Sequence, residues 1–131
     1  MIFRYTILYV DDVAQTVSFY QSAFGLELGF VHEGGDYAEL LTGTTKLAFS
    51  STQLMRQLGK NPSPAVADRP CFELAFETDD VESALQRALS AGATLVQATR
   101  EEPWGQTTSY VSDLNGYLVE ICSAVQVPNP A

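Results

Sequence analysis

Glu73, Glu77 and Glu120, together with Tyr5, Tyr9 and Lys46, alternate with apolar neighbours on short runs rich in branched and aromatic residues. Alternation at a period of two sends such residues to one face of a sheet. Glu73 and Glu120 on one surface repel unless a proton or a cation lies between them. Without a cation, the two would have to share a proton. With a cationic ligand, both ionise and hold it through charge-assisted hydrogen bonds. Lys46 on the same face offers a third solution, an internal ion pair. Trp104 and Tyr110, with Tyr5 and Tyr9, supply flat aromatic surface for stacking or cation–π contact, although core or dimer packing would use the same rings.

Other chemistries find little support. His32 is the single histidine, and it reads as a surface or rim residue of the second strand. One imidazole with no nucleophile elbow does not suggest a Ser-His-Asp or Cys-His arrangement. Gly34-Gly35 reads as a hairpin turn and lacks the Lys-Ser/Thr of a phosphate loop.

The elements that carry these residues come in two copies. Tyr5-Thr6-Ile7-Leu8-Tyr9-Val10-Asp11-Asp12-Val13 is answered by Glu73-Leu74-Ala75-Phe76-Glu77-Thr78-Asp79-Asp80-Val81, 68 positions later. Each copy predicts a strand, an Asp cap, a helix ending near a glycine (Gly25, Gly92), and three further strands. In the first copy these are 3–10, 13–24, 27–33, 37–41 and 46–50; in the second, 72–78, 81–91, 94–99, 107–112 and 117–122. Residues 51–70 hold three prolines and a short helical patch at 53–58, which suggests a linker and a flap over a cleft. One domain over 1–131 is expected, with modules 1–50 and 71–124, the linker 51–70, and a tail at 125–131. Leu8, Val10, Leu47, Phe49, Leu74, Phe76, Val119 and Ile121 form the apolar set expected under the helices. Tyr5, Ile7, Tyr9, Lys46, Ala48, Glu73, Ala75, Glu77, Leu118 and Glu120 form the opposite, mixed face.

Composition narrows the partners. The chain of 131 residues has a formal charge of −9, which argues against nucleic acid and anionic membrane surfaces. That charge suits a cationic partner, and it also serves solubility. Cys71 and Cys122 form no CxxC, no leader pattern opens the chain, and no apolar run approaches the roughly 18 residues of a membrane span. A cytoplasmic location is expected.

Val10-Asp11-Asp12 leading to Phe19-Tyr20 and Phe24-Gly25-Leu26, followed by Glu102-Pro103-Trp104-Gly105-Gln106 and the run from Tyr110 to Ile121, resembles the vicinal oxygen chelate superfamily. That group includes glyoxalase I, extradiol dioxygenases and bleomycin-resistance proteins, and the Pro-Trp-Gly element is most similar to the bleomycin-resistance branch. The resemblance implies an α+β fold: two tandem βαβββ modules forming a curved mixed sheet around a cleft, helices on the outer face. It places the family's four metal positions at Tyr5, Ala48, Glu73 and Glu120, where metalloenzymes of the family carry histidine on the first strands and glutamate on the last. Only Glu120 matches fully. An iron site of two histidines and a carboxylate needs a second imidazole, and Ala48 cannot ligate zinc or nickel. If any metal binds, it would be a hard divalent ion such as Mg²⁺ or Mn²⁺ on Glu73 and Glu120.

The expectation is therefore a metal-free, cofactor-free homodimer that sequesters a small cationic or aromatic molecule, as in antibiotic resistance. Its ligand-binding residues would be Tyr5, Tyr9, Lys46, Glu73, Trp104, Tyr110 and Glu120. The alternatives are a divalent-metal-dependent lyase or isomerase using Glu73 and Glu120, with Glu120 as base, and a plain interaction module.

Overall fold

The computed structural model describes residues 1–125; the tail at 126–131 lies outside the described residues. The chain divides into two units, Met1–Pro64 and Ala65–Ala131. Each contains one βαβββ module with its own four-stranded mixed sheet.

In the first unit, β1 (Tyr5–Val10) leads to α1 (Val13–Phe24), then β2 (Glu27–Val31), β3 (Tyr37–Leu41), β4 (Lys46–Ser51) and a short α2 (Thr52–Gln57). Asp12 starts α1 because its side chain accepts from the Gln15 amide at 2.9 Å, and Gly25 ends it in the left-handed region at φ 68°. The strand order is β1-β4-β3-β2, with β1 parallel to β4 and the rest antiparallel. Helix α1 packs on β2, β3 and β4, burying Val13, Val17, Phe19, Tyr20 and Ala23. Helix α2 packs on β4 and β1.

The second unit repeats the plan with β5 (Glu73–Glu77), α3 (Val81–Ser90), β6 (Thr94–Glu101), β7 (Thr107–Ser112) and β8 (Leu118–Cys122), in the order β5-β8-β7-β6. Asp80 caps α3 by accepting from Ser83 at 3.0 Å. The bend between β7 and β8 is closed by Asp113, whose carboxylate accepts from the amides of Asn115 and Tyr117. Gly116 there has φ 93°, and a Cβ would stand 3.3 Å from the Ala65 carbonyl oxygen and the Ala67 amide nitrogen, so the linker is packed against this turn.

Three differences from the sequence reading have physical reasons. Leu74 and Phe76 are only half-buried, because α3 packs chiefly on β6, β7 and β8. In the first unit α2 contacts β1, and there Leu8 and Val10 are fully buried. His32 lies just beyond β2, exposed in the hairpin turn, where its carbonyl accepts from Gly35 at 2.9 Å. The period-two pattern also breaks in both second strands. Bulges between Leu28 and Phe30 and between Leu95 and Gln97 disturb the register.

Asp12→Ala and Asp80→Ala should each lower the unfolding free energy by about 1 kcal/mol, measured by urea denaturation. Ser109 is fully buried on the helix side of β7, and its hydroxyl has no hydrogen-bond partner among the described residues. Ser109→Ala should leave stability unchanged or raise it by up to about 1 kcal/mol in the same assay.

Candidate functional site

On the side of each sheet away from its helix, the pleat gathers polar and aromatic residues. In the second unit, parallel pairing sets Ala75 of β5 opposite Glu120 of β8, and antiparallel pairing sets Tyr110 of β7 opposite the same Glu120. Glu73 and Tyr110 thus flank β8 from its two neighbouring strands. The Tyr110 hydroxyl donates to Glu120 Oε2 at 2.5 Å and approaches Glu73 Oε2 at 3.2 Å. A phenol has one proton, so a single O–H serves two carboxylates. Burial, then the hydrogen bond to Glu120 and the charges of Glu120 and Glu73, hold the Tyr110 phenol well above its ordinary value.

The polar surface continues along β8. Cys122 is buried beside Glu120, and burial, with the charges of Glu120 and Glu77, pushes its thiol up to about 11. The thiol donates to the Phe76 carbonyl at 3.6 Å. The Gln106 side chain accepts from the Trp104 indole N–H at 2.8 Å and donates to the Ser123 carbonyl at 3.0 Å. Glu73, Tyr110, Glu120 and Cys122 thus lie on and beside β8, and Trp104 and Gln106 fasten to Ser123 just beyond its end, all within a single unit. Beside it, Thr108 donates to Glu102 at 2.8 Å and accepts from Gln97 at 3.2 Å. The Arg100 guanidinium, 2.7 Å away, and Thr108 hold the Glu102 carboxyl below the usual range.

In the first unit the corresponding face carries Tyr5 opposite Lys46, and Glu39 opposite Ala48. Tyr37 donates to Glu39 Oε2 at 2.8 Å, and burial together with Glu39 and Tyr5 raises its pKa well above the ordinary value. Lys46 makes no ion pair among the described residues. Tyr9 carries the Lys60 ammonium 5.8 Å from its ring centre.

Of the residues expected at the site, Glu73, Tyr110 and Glu120 come together directly, and Trp104 stands past the end of β8, held through Gln106 to Ser123. Tyr5, Tyr9 and Lys46 lie on the sheet of the first unit. Sequence reasoning missed Tyr37, Glu39, Gln106 and Cys122. For Tyr37 and Glu39 the signal was present, since both alternate with the buried Ala38 and Leu40 on β3. Gln106 lies in the connection before β7, where alternation gives no guide.

A family model for the Glyoxalase/Bleomycin resistance protein/Dioxygenase superfamily matches residues 2–121. The chain belongs to this superfamily. Uncharacterized proteins of Mycobacterium bovis and Mycobacterium tuberculosis are each 31% identical to it over 116 residues, 84% of this chain and 75% and 67% of theirs. Among solved structures, a glyoxalase-related enzyme from Fulvimarina pelagi superposes with a TM-score of 0.80 at 23% identity, over 98% of this chain and 91% of that one. TioX from Micromonospora sp. ML1 gives 0.72 at 25% identity, over 94% and 98%.

The superfamily raises the question of a metal, and the donors answer poorly. Ala48 is fully buried and offers no ligand atom. Glu73 and Glu120 already share the Tyr110 hydroxyl. Among the described residues, no three of His, Cys, Asp and Glu are placed to hold a metal ion. This donor set does not fit the histidine–glutamate centre of the superfamily's metalloenzymes.

Iodoacetamide at pH 8 should modify the exposed Cys71 and spare Cys122, giving one adduct by mass spectrometry of the folded protein. The raised thiol pKa stabilises the fold below the ordinary cysteine value of about 8.5, and this contribution is lost as pH climbs towards about 11. Cys122 should become reactive in that window, and Cys122→Ala should flatten the alkaline end of the stability curve.

Proposed function

We propose that this sheet face of the second unit binds a small amphipathic cation and sequesters it without chemical change, in the manner of the bleomycin-resistance members of the superfamily. The observation that carries this reading is the strip from Glu73 to Trp104. Two carboxylates share one phenolic proton at one end, and a half-exposed indole stands at the other. A carboxylate pair with a single donor between its members is favourable for an incoming ammonium or amidinium group. An indole face suits the apolar or aromatic part of the same molecule.

Charge distribution supports the choice of a cation. Residues 65–131 carry ten acidic and three basic side chains, against six and four in residues 1–64. Strands β5 and β8, which hold Glu73, Glu77 and Glu120, contain no lysine or arginine. A field of one sign over a binding face raises the local concentration of the oppositely charged ligand. This reading includes a homodimer and a cytoplasmic location. No helix among the described residues is long and apolar enough to cross a membrane.

Calorimetric titration with benzyltrimethylammonium and, separately, with the anion phenylacetate tests the reading. The cation should bind and the anion should not. Glu120→Gln should weaken the cation by about tenfold or more, since it removes one charge of the pair. The double variant Trp104→Ala/Glu120→Gln should abolish measurable binding. Equal affinity for cation and anion, or wild-type affinity in the double variant, would contradict the assignment.

A further inference from the structure

Trp104 presents a problem of orientation. It lies on the connection between β6 and β7 and is 58% exposed, an environment in which a large side chain ordinarily samples several rotamers. Here its polar edge is fastened. The indole N–H donates to Gln106 Oε1 at 2.8 Å. Gln106 is itself only 9% exposed, and its amide nitrogen donates to the Ser123 carbonyl just beyond β8. The backbone on both sides is closed by short bonds. The Glu102 amide donates to the Gln106 carbonyl at 2.7 Å, and the Gly105 amide donates to the Glu102 carbonyl at 2.9 Å. Gly105 accepts the left-handed conformation this turn requires, at φ 92°. Ser123 is tied in turn to Thr107 through its hydroxyl, at 2.8 Å, and its amide, at 2.9 Å. The indole is thereby attached, through one buried amide, to the rigid end of the sheet.

We propose that Gln106 is a positioning residue that occupies the hydrogen-bonding edge of Trp104, so that the ring face is the part offered to a ligand. The consequence is selectivity. An indole whose N–H is free recruits hydrogen-bond acceptors, anions included; one whose N–H is already used recognises cations and aromatic rings through its π surface. The inference rests on the cation-binding reading for its consequence, while the ordering of Trp104 by Gln106 stands on geometry alone.

Trp104 is the single tryptophan, so intrinsic fluorescence reports on it without interference from another indole. Two variants separate positioning from packing. Gln106→Met keeps the volume and removes both hydrogen bonds; Gln106→Glu keeps an acceptor for the indole. In Gln106→Met, fluorescence anisotropy should fall, near-UV circular dichroism should weaken, and quenching by acrylamide should rise. Affinity for benzyltrimethylammonium should drop by about three- to tenfold, the scale of one hydrogen bond. Gln106→Glu should give intermediate anisotropy and quenching, because it keeps the acceptor for the indole and loses the donor to the Ser123 carbonyl. Wild-type fluorescence behaviour in Gln106→Met would overturn the proposal. So would an indole N–H in the wild type that exchanges with solvent as fast as that of free tryptophan, because its edge would then be unoccupied. If Gln106→Met fails to fold, the exchange rate of the wild-type indole N–H decides alone. If Gln106→Met loosens Trp104 while the wild type does not bind the probe, the positioning role is upheld and the cation-binding function fails.

Discussion

Parallel strands cannot be joined by a tight turn, and in each module the first strand pairs in parallel with the last. The chain must therefore cross the sheet before it returns. It does so through one helix, α1 or α3, which delivers the second strand to the far edge. Antiparallel steps then bring the fourth strand back beside the first. This pairing leaves one face of each sheet against its helix and sets three neighbouring strands, first, fourth and third, side by side on the other. The contacts of Tyr110 with Glu73 and Glu120 depend directly on that order. The two glutamates lie on adjacent parallel strands, and the tyrosine reaches them from the strand on the far side of β8.

The two modules share this scaffold and differ in what they hang on it. Register makes Tyr5, Glu39 and Ala48 the counterparts of Glu73, Tyr110 and Glu120. In the first unit the last-strand position carries an alanine, and the local phenol–carboxylate pair is Tyr37 with Glu39, both on β3. In the second, the acids move to β5 and β8 and the phenol to β7. The donor count changes with it. Tyr37 gives one O–H to one carboxylate, while Tyr110 gives one to two. Duplicated architecture with divergent side chains leaves the second unit with the acid-rich face.

Much of this organisation was legible in the residues. Asp12 and Asp80 announce the helix starts, because a short carboxylate before an apolar stretch satisfies otherwise orphaned amides. Helix α1 and strands β3 and β7 begin and end where patterning places them. The convergence of Glu73 and Glu120 followed from alternation and from the repeat. What patterning could not show is which edge strand a helix covers, hence the half-buried Leu74 and Phe76. Nor could it show the bulges after Leu28 and Leu95, which shift the faces of β2 and β6 by one residue. Side-chain bonds such as Trp104 to Gln106 depend on rotamers in a turn, where neither period applies.

We propose a cation on the face running from Glu73 to Trp104. The most direct measurement is a ¹H–¹⁵N correlation spectrum of the labelled protein, titrated with benzyltrimethylammonium. Saturable shifts should concentrate on the Trp104 indole N–H, the Gln106 side-chain amide and the backbone amides of Tyr110, Glu120 and Cys122. Shifts confined to other surfaces, or a spectrum that does not change, would contradict it.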